Sequence, residues 1–255
     1  MEEAVKEGKY IYCIIETKVS KTFGPLGIGC RGDELHTICF NDIAAVVSNS
    51  PIIRYKVSRE NTLAHEKAIE EVMKEHTVLP VRFATISEDE EKVKKILEKE
   101  YSKFKDLLNK MKDKKELGLK ATFNEDVIYK DILEKYKDIK GLKERVATLS
   151  PEKTYYQRMK IGEMVEAALQ KEKEIHKKGI LNTLSPLAVE IKNNNIYGEL
   201  MIISAAFLIE KYREKEFDQK VNEYVNKYSN KINFKYVGTV PPFNFVNLII
   251  NMEEC

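Results

Sequence analysis

The spacing of apolar and polar residues divides the first part of the chain into strand-like runs and helical stretches. Short runs rich in β-branched and aromatic residues predict strands at residues 10–15, 35–40 and 43–47. Asn41 and Asp42 lie between the last two runs, and they suit the two-residue turn of a hairpin even without the usual glycine. The pattern therefore predicts three strands, of which the second and third form a hairpin.

A helix and a fourth strand follow the hairpin. Apolar side chains at helical spacing predict a helix over residues 61–75, with Ser58 or Asn61 at its N-cap. The run at residues 78–83 predicts a strand. Pro80 favours an edge position for that strand, because proline cannot donate a hydrogen bond to a ladder.

The next elements complete a first domain. Residues 88–111 are highly charged with one apolar face and predict a single long helix, and residues 117–123 predict another strand. The predicted order is then βββ-α-β-α-β. This irregular order with antiparallel hairpins favours an α+β domain over residues 1–123, ferredoxin-like, with its helices on one face of the sheet.

The middle of the chain is predicted to be helical. Pro151 follows Ser150, and proline is common in the first turn of a helix. Residues 152–178 would then form one helix that stops at Gly179. We therefore expect a helical segment at residues 124–179 that joins two domains.

The last third of the chain returns to a mixed pattern. The predicted strands are residues 187–191, 200–208, 234–240 and 245–250, and the predicted helix is residues 210–228. This ββαββ order suits a second, smaller ferredoxin-like α+β domain over residues 180–255.

Composition and charge narrow the classes of function. Of the 255 residues, 43% are hydrophobic and 33% are charged, and 43 basic against 41 acidic residues give a net charge of +2. The two signs are interleaved, so the chain lacks the broad basic field typical of nucleic-acid binding. No run reaches the ~18 apolar residues of a membrane span, and the first residues lack the apolar region of a signal peptide. We expect a protein that stays inside the cell.

Neither the cysteines nor the glycines predict a metal or phosphate site. Cys13, Cys30, Cys39 and Cys255 form no C-x-x-C pair and have no histidine at zinc-finger spacing. Cys13 and Cys39 lie in apolar runs and are expected to be small buried thiols; one disulfide or metal site is the alternative. The glycine-rich segment 24–29 lacks the G-K-[ST] sequence of a phosphate loop, so we expect a simple connecting loop.

Histidines and carboxylates form no recognisable catalytic set. His65 and His76 are eleven positions apart on one predicted helix, and a separation of ~16 Å is too long for one metal ion. We expect both to be exposed or partly packed. No serine or cysteine can be paired with a base, and the carboxylates fall mainly on charged helix faces. The chain is therefore predicted not to be an enzyme, and no cofactor or metal is implied.

Arg82 is the first candidate for a partner contact. It lies in an apolar run beside Phe83, and a charge in such a run must face solvent or find an acidic partner. One interpretation is a strand with Arg82 on its solvated or ion-paired face. The other is an anchor for the carboxylate or backbone carbonyls of a partner.

The tandem prolines near the end of the chain are the second candidate. Pro241 and Pro242 impose an extended backbone without donors, and Phe243 and Phe245 follow them. The two phenylalanines either plug the core or form a rigid apolar ledge on the surface. The sequence leaves both possibilities open.

Several segments in this order resemble the gas vesicle protein F/L family. Residues 43–48, I-A-A-V-V-S, resemble its L-A-A-V-V-S run. His65 with residues 78–85, V-L-P-V-R-F-A-T, resembles its H … V-L-P-V-R-F-G-T segment. Residues 155–163 are similar to its central helix, and residues 238–246 resemble its C-terminal G-P-x-P-P-Y-S-F-V signature. The resemblance extends over nearly the whole chain.

The chain also departs from the family pattern. Ala84 stands where the family often has glycine, and Thr239 stands where a proline is usual. The chain has no tryptophan, although one often precedes the proline pair. These differences indicate a divergent member, and they bear most on the surface near residues 238–245.

The resemblance implies a function that the residues alone leave open. Members of the family are minor gas vesicle components needed for vesicle formation and are thought to bind the small hydrophobic shell protein. It implies an accessory protein, in the cytoplasm and at the gas vesicle, that limits shell-protein aggregation and helps nucleate the vesicle, with other accessory proteins as further partners. The predicted contact residues are Arg82, Phe83, Pro241, Pro242, Phe243 and Phe245.

Two other functions are weighed against this one. Ferredoxin-like domains often bind nucleotides or amino acids, so a ligand-binding regulatory α+β module with no role in vesicles is the first alternative. An enzyme is the second, and it would require a deep polar pocket with clustered perturbed titratable groups.

Overall fold

The computed structural model describes residues 6–248 and residue 250. Within them, the strands are β1 Glu7–Glu16, β2 His36–Phe40, β3 Ile43–Pro51, β4 Val78–Pro80, β5 Ile86–Ser87, β6 Lys114–Phe123, β7 Ala188–Asn193, β8 Met201–Glu210 and β9 Ile232–Val240. The α-helices are α1 Arg59–Met73, α2 Glu90–Lys99, α3 Tyr101–Met111, α4 Glu125–Lys135, α5 Lys137–Ala147, α6 Tyr155–Leu184 and α7 Glu214–Tyr228. Among these helices, none is long and apolar enough to cross a membrane. The predicted α+β class is confirmed.

The chain divides into two compact units. The first comprises the described residues up to Glu116 and from Thr239 onward, and the second comprises Leu117–Gly238. The chain therefore leaves the first unit along β6 and returns to it along β9. The predicted division at residues 123 and 179 differs from this one, because the helices of residues 124–179 contribute to the core of the second unit. The ferredoxin-like arrangement of each domain stays a prediction.

β1 lies at the centre of the sheet in the first unit. The strand order is β2-β3-β1-β4, with β5 also paired to β1, and the pairings of β1 are antiparallel. All six residues from Tyr10 to Ile15 are buried. Because successive strand side chains point to opposite faces, both faces of β1 are covered. The residues of α1 pack in the same cluster as Tyr10 and Tyr12, which places this helix on the tyrosine face.

A four-stranded sheet and four helices form the second unit. The strand order is β7-β8-β6-β9, and β8 is buried over nearly its whole length. The helices α4 to α7 contribute the rest of one continuous core, through residues that include Ile128, Ile139, Leu169 and Phe217. A continuous apolar strand such as β8 is expected where side chains are covered on both faces.

Three predicted elements differ from the structure. The helix predicted over residues 88–111 is interrupted at Glu100, whose φ of −100° and ψ of 12° end α2. The strand predicted at 78–83 ends at Pro80, and the strand predicted at 245–250 is absent from its described residues, where only Leu248 forms an isolated bridge. Residue 249 lies outside the described residues. No proline or glycine marks the interruption at Glu100, so the sequence carries no signal for it.

Gly179 does not end its helix, which continues to Leu184. Glycine favours a helix end because it adopts positive φ easily, but Gly179 is helical and serves packing instead. A Cβ at this position would lie 2.7 Å from the Tyr224 hydroxyl oxygen. That hydroxyl donates to the carbonyl of His176 at 3.2 Å. Glycine therefore allows α7 to approach α6 closely.

We predict that Gly179→Ala destabilises the protein by about 1 kcal/mol, because the contact with Tyr224 outweighs the helix propensity gained. The double variant Gly179→Ala/Tyr224→Phe lacks the hydroxyl, and the remaining ring atoms lie 3.5 Å from the new Cβ. The stabilising effect of alanine's helix propensity is then recovered. Urea unfolding measures both effects. Gly141→Ala in α5 is the control, because open space surrounds its Cβ position, and it is expected to stabilise. Stabilisation by Gly179→Ala alone contradicts this account.

Candidate partner-binding site around His65 and Phe243

Three of the six predicted contact residues surround one cavity in the first unit. Arg82, Phe83 and Phe243 line a cavity of about 260 Å³, and His65 and Leu248 are among the other lining residues. These residues come from α1, from the loop after β4 and from the segment after β9. Residues far apart in the sequence therefore form one site.

The tandem-proline segment contributes both to the core and to the surface. Pro241, Pro242 and Phe245 are buried, and Phe245 is only 6% exposed. Phe243 is 41% exposed and faces the cavity. The two alternatives for this segment therefore apply to different residues: Phe245 plugs the core, and Phe243 provides the apolar ledge.

A buried carboxylate holds the Phe243 turn in place. Glu116 in β6 is 3% exposed, and it accepts hydrogen bonds from both the backbone N–H and the side-chain amide of Asn244. Phe245 N and Val246 N donate to the carbonyl of Pro242, at 3.1 and 2.9 Å. A carboxylate with two donors is satisfied, so it can be buried without a large penalty. This turn is the reason that residues 245–248 do not continue as a strand.

The end of the described chain joins the loop after β4. Val81 and Leu248 form an isolated parallel bridge, and Arg82 N donates to Leu248 O at 3.4 Å. Val81 N also donates to the carbonyl of Tyr12 in β1 at 2.9 Å. The loop that carries Arg82 and Phe83 is thus hydrogen-bonded on two sides.

His65 is buried, contrary to the expectation of an exposed or partly packed histidine. It is 3% exposed, and its ring centroid lies 5.7 Å from those of Tyr10, Tyr12 and Phe83, and 6.3 Å from that of Phe243. His76 agrees better with the expectation, since it is only partly buried. The apolar periodicity of α1 gave no reason to place a histidine among four aromatic rings.

A chain of hydrogen bonds sets the tautomer of His65. Its Nε2 lies 3.2 Å from the carbonyl of Val81, which can only accept, so Nε2 carries the proton. Nδ1 then accepts from the hydroxyl of Tyr10 at 3.1 Å. That hydroxyl in turn accepts from Ala84 N at 2.9 Å. All polar atoms in this chain are satisfied when the imidazole is neutral.

Burial keeps these groups uncharged. It lowers the pKa of His65 to about 4, and the hydrogen bond to Val81 O only partly offsets the effect. Burial likewise raises the pKa of Tyr10 well above its usual value. A neutral pair of this kind serves as a structural support between β1, α1 and the loop.

Arg82 provides the positive charge of the site. Its side chain is exposed, and it has no hydrogen-bond or ion-pair partner within the described residues. Arg82 and the exposed Phe243 both belong to the lining of the cavity. An accessible guanidinium with an apolar neighbour can bind a carboxylate or a backbone carbonyl.

Side chains that could bind a metal ion are not clustered in the described part of the chain. No group of three or more histidine, cysteine, aspartate or glutamate side chains that could hold a metal ion occurs in the part of the chain that is described. Cys13 is buried, Cys30 is exposed and Cys39 is half-buried, and all three are free thiols. Cys255 lies outside the described residues. The glycine-rich segment 24–29 connects β1 to β2, as expected of a loop.

Comparison with known proteins gives the family of the chain. The model of the gas vesicle synthesis protein GvpL/GvpF family matches residues 8–247. The chain belongs to this family. Gas vesicle protein F of Nostoc sp. strain PCC 7120 is 24% identical over 249 residues, which are 96% of this chain and 100% of that protein. Gas vesicle protein F of Dolichospermum flosaquae is 25% identical over 244 residues, 94% of this chain and 97% of that protein.

A solved structure supports the fold. The crystal structure of gas vesicle protein GvpF from Anabaena sp. PCC7120 has a TM-score of 0.81 with this chain, at 24% identity, and covers 96% of this chain and 100% of its own. The similarity therefore includes both units. The family is one of gas vesicle proteins, and the resemblance seen in the sequence is confirmed.

The backbone at Ala84 is strained. This residue has a φ of +63°, a conformation that glycine adopts without strain. Left-handed backbone costs a residue with a Cβ about 1–2 kcal/mol. The chain retains this conformation because it directs Ala84 N at the Tyr10 hydroxyl.

We predict that Ala84→Gly stabilises the protein by about 0.5–1 kcal/mol, since glycine adopts positive φ without strain but loses more backbone entropy on folding. Chemical denaturation measures the change. Ala64→Gly in the interior of α1 is the matched control and is expected to lower stability by a similar amount. If both substitutions destabilise the protein, the backbone at Ala84 is not strained.

The depressed pKa of His65 predicts a loss of stability in mild acid. The unfolded chain takes up a proton near pH 6.5 and the folded chain only near pH 4, so stability falls as the pH decreases through this window. The contribution is on the order of 3 kcal/mol. His65→Gln is expected to flatten the pH dependence of the unfolding free energy between pH 6.5 and 4. Since His76 and His176 also have lowered pKa values, the difference between the two proteins is the quantity to measure; equal slopes contradict the prediction.

Proposed function

We propose that the chain is an accessory protein of gas vesicle assembly that binds the hydrophobic shell protein through the rim of the His65 cavity. The observation that supports this site is that an exposed aromatic residue, Phe243, and an exposed arginine, Arg82, line the same cavity. Aromatic and arginine side chains are the residues that most often dominate binding energy at protein interfaces.

The site is suited to a partner that must later be released. Its cavity of about 260 Å³ has room for one or two apolar side chains, which corresponds to a small, transient interface. A shell subunit must expose apolar surface before it joins the wall, and such surface aggregates. Inserting one apolar side chain beside Phe243 would cover part of that surface, while Arg82 would donate hydrogen bonds to a carboxylate or backbone carbonyl.

Rigidity of the support is the second argument for this surface. Glu116 holds the turn of Phe243, and the hydrogen bonds through His65 hold the loop of Arg82. A preorganised site loses little entropy on binding. We infer that a chain with this site limits aggregation of shell subunits and presents them at the start of vesicle formation.

Co-expression with the shell protein tests this function. We expect the shell protein to remain in the soluble fraction, and to co-purify, only when the chain is present. The double variant Arg82→Glu/Phe243→Ser should reduce the bound shell protein by about tenfold or more, because both anchors of the contact are lost. Pull-down from the soluble fraction with quantification of the shell protein measures this effect.

The control is the double variant Arg54→Glu/Tyr212→Ser, which makes the same kinds of change at exposed residues outside the cavity. It should bind as the unmodified chain does. Equal solubility of the shell protein with and without the chain refutes the function, whereas equal binding by both double variants refutes only the site.

A ligand-binding regulatory module is the second candidate. The guanidinium beside an apolar cavity would suit a small carboxylate, but about 260 Å³ lies below the ~300–1,000 Å³ usual for small-molecule sites. A large thermal shift with one metabolite, abolished by Arg82→Glu, would favour this alternative.

A further inference from the structure

The second unit contains a larger groove that the proposed function does not use. Faces of α4, α5 and α6 enclose about 490 Å³. Most of its lining residues are apolar, and they include Leu133, Val146 and Ile161. The groove is larger in volume than the His65 cavity. Exposure of its apolar side chains to water contributes nothing to the stability of the chain.

The apolar surface continues beyond the groove along α6. Tyr155 precedes Gly162 by seven residues, which is two helical turns, so it extends the face of α6 that lines the groove. Tyr155 is 62% exposed. An exposed aromatic side chain on the same helix face as an apolar groove enlarges the apolar surface available to a partner.

The charges at the groove have one sign. Lys143 and Arg158 are the charged residues among its described lining residues. Arg158 Nε donates to Thr154 Oγ1 at 3.0 Å, which holds the side chain in place and leaves its two terminal nitrogens available. Neither cation has an acidic partner within the described part of the chain. The occupant that complements this groove is therefore apolar with carboxylates at its edge.

Gly162 exposes the backbone of α6 in the lining of the groove. A Cβ at Gly162 would meet nothing within 4 Å, so the space beside the helix backbone is open. Gly141 in α5 has the same open surroundings but does not line the groove, which makes it a suitable control. Together with Ala147, Gly162 leaves a low floor in the groove. The axes of packed helices lie 8–10 Å apart, depending on the side chains at the contact, so small residues allow the closer distances.

The walls of the groove are held together. Glu172 in α6 accepts from Lys135 Nζ at 2.6 Å and from the Tyr136 hydroxyl at 3.0 Å, which ties α6 to the end of α4. Glu172 is almost fully buried, whereas the Lys135 side chain is 54% exposed. The contact fixes α4 and α6, two of the three walls of the groove, relative to each other.

We propose that this groove binds an amphipathic helix of a partner protein, with an apolar face bordered by acidic residues. Three helix faces form the walls, and the side chains of a fourth helix would pack between them in the usual ridges-into-grooves manner. Carboxylates at the edge of its apolar face pair with Lys143 and Arg158. The proposal does not depend on the His65 cavity and holds whether or not that cavity binds the shell protein.

A designed peptide probes the groove directly. The probe is a fluorescein-labelled helix of about 18 residues, with leucines along one face and glutamates at both edges of that face. Fluorescence anisotropy with the full chain is expected to show saturable binding. A peptide with lysines in place of the glutamates should bind about tenfold more weakly, and a peptide with two central prolines should not bind, because it cannot form a helix.

Matched variants of the chain locate the contact. Gly162→Leu fills the floor and Arg158→Glu reverses one charge, and each is expected to weaken peptide binding by about tenfold or more. Gly141→Leu and Lys160→Glu are the controls, because they make the same changes on α5 and α6 at residues that do not line the groove. The controls should bind the peptide normally.

A milder variant separates binding from folding. Gly162→Ala is expected to raise the Tm by about 2 °C and to weaken peptide binding at the same time, which a loss of structure cannot do. The proposal is wrong if the peptide does not bind at all, or if the groove variants and the controls bind it equally. It is also wrong if sedimentation shows a dimer that Gly162→Leu abolishes, since the occupant is then a second copy of the chain.

Discussion

The neutral imidazole of His65 is the contact on which the candidate binding surface of the first unit depends. It joins β1 through Tyr10 and the loop after β4 through Val81, and its ring lies against Phe243 from the end of the chain. A buried polar group of this kind is stabilising only when every donor and acceptor is paired. The ring meets this condition in one tautomer, so the geometry of the loop that carries Arg82 follows from it.

Elements whose conformation depends mainly on neighbouring residues were predicted well from the sequence. The strands at residues 10–15 and 43–47 are runs without charged residues that contain several β-branched side chains, and the hairpin at Asn41 follows from a residue that tolerates positive φ, here +55°. The errors arose where tertiary contacts override local preference. Gly179 had the features of a helix stop, but only the position of Tyr224 explains it.

The site itself could be predicted only in part, for the same reason. Arg82 and Phe243 were recognisable as a charge in an apolar run and as an aromatic after two prolines, and the structure brings both to one cavity. His65 was missed because its partner Tyr10 is 55 residues away in the sequence. Glu116 was missed because a single glutamate in a charged chain carries no sign that it holds a turn 128 residues further on. Contacts between distant segments leave no periodic pattern.

Both candidate surfaces combine an apolar wall with positive charge, in a chain whose net charge is only +2. A net charge this small gives little long-range electrostatic attraction for a partner. The choice of partner must therefore depend on the side chains that contact it. At the His65 cavity the charge is Arg82, and at the groove it is Lys143 and Arg158. In the two proposed complexes the apolar contact supplies most of the binding energy and the cations disfavour partners without carboxylates, so specificity would arise from a few side chains and not from the protein's overall field.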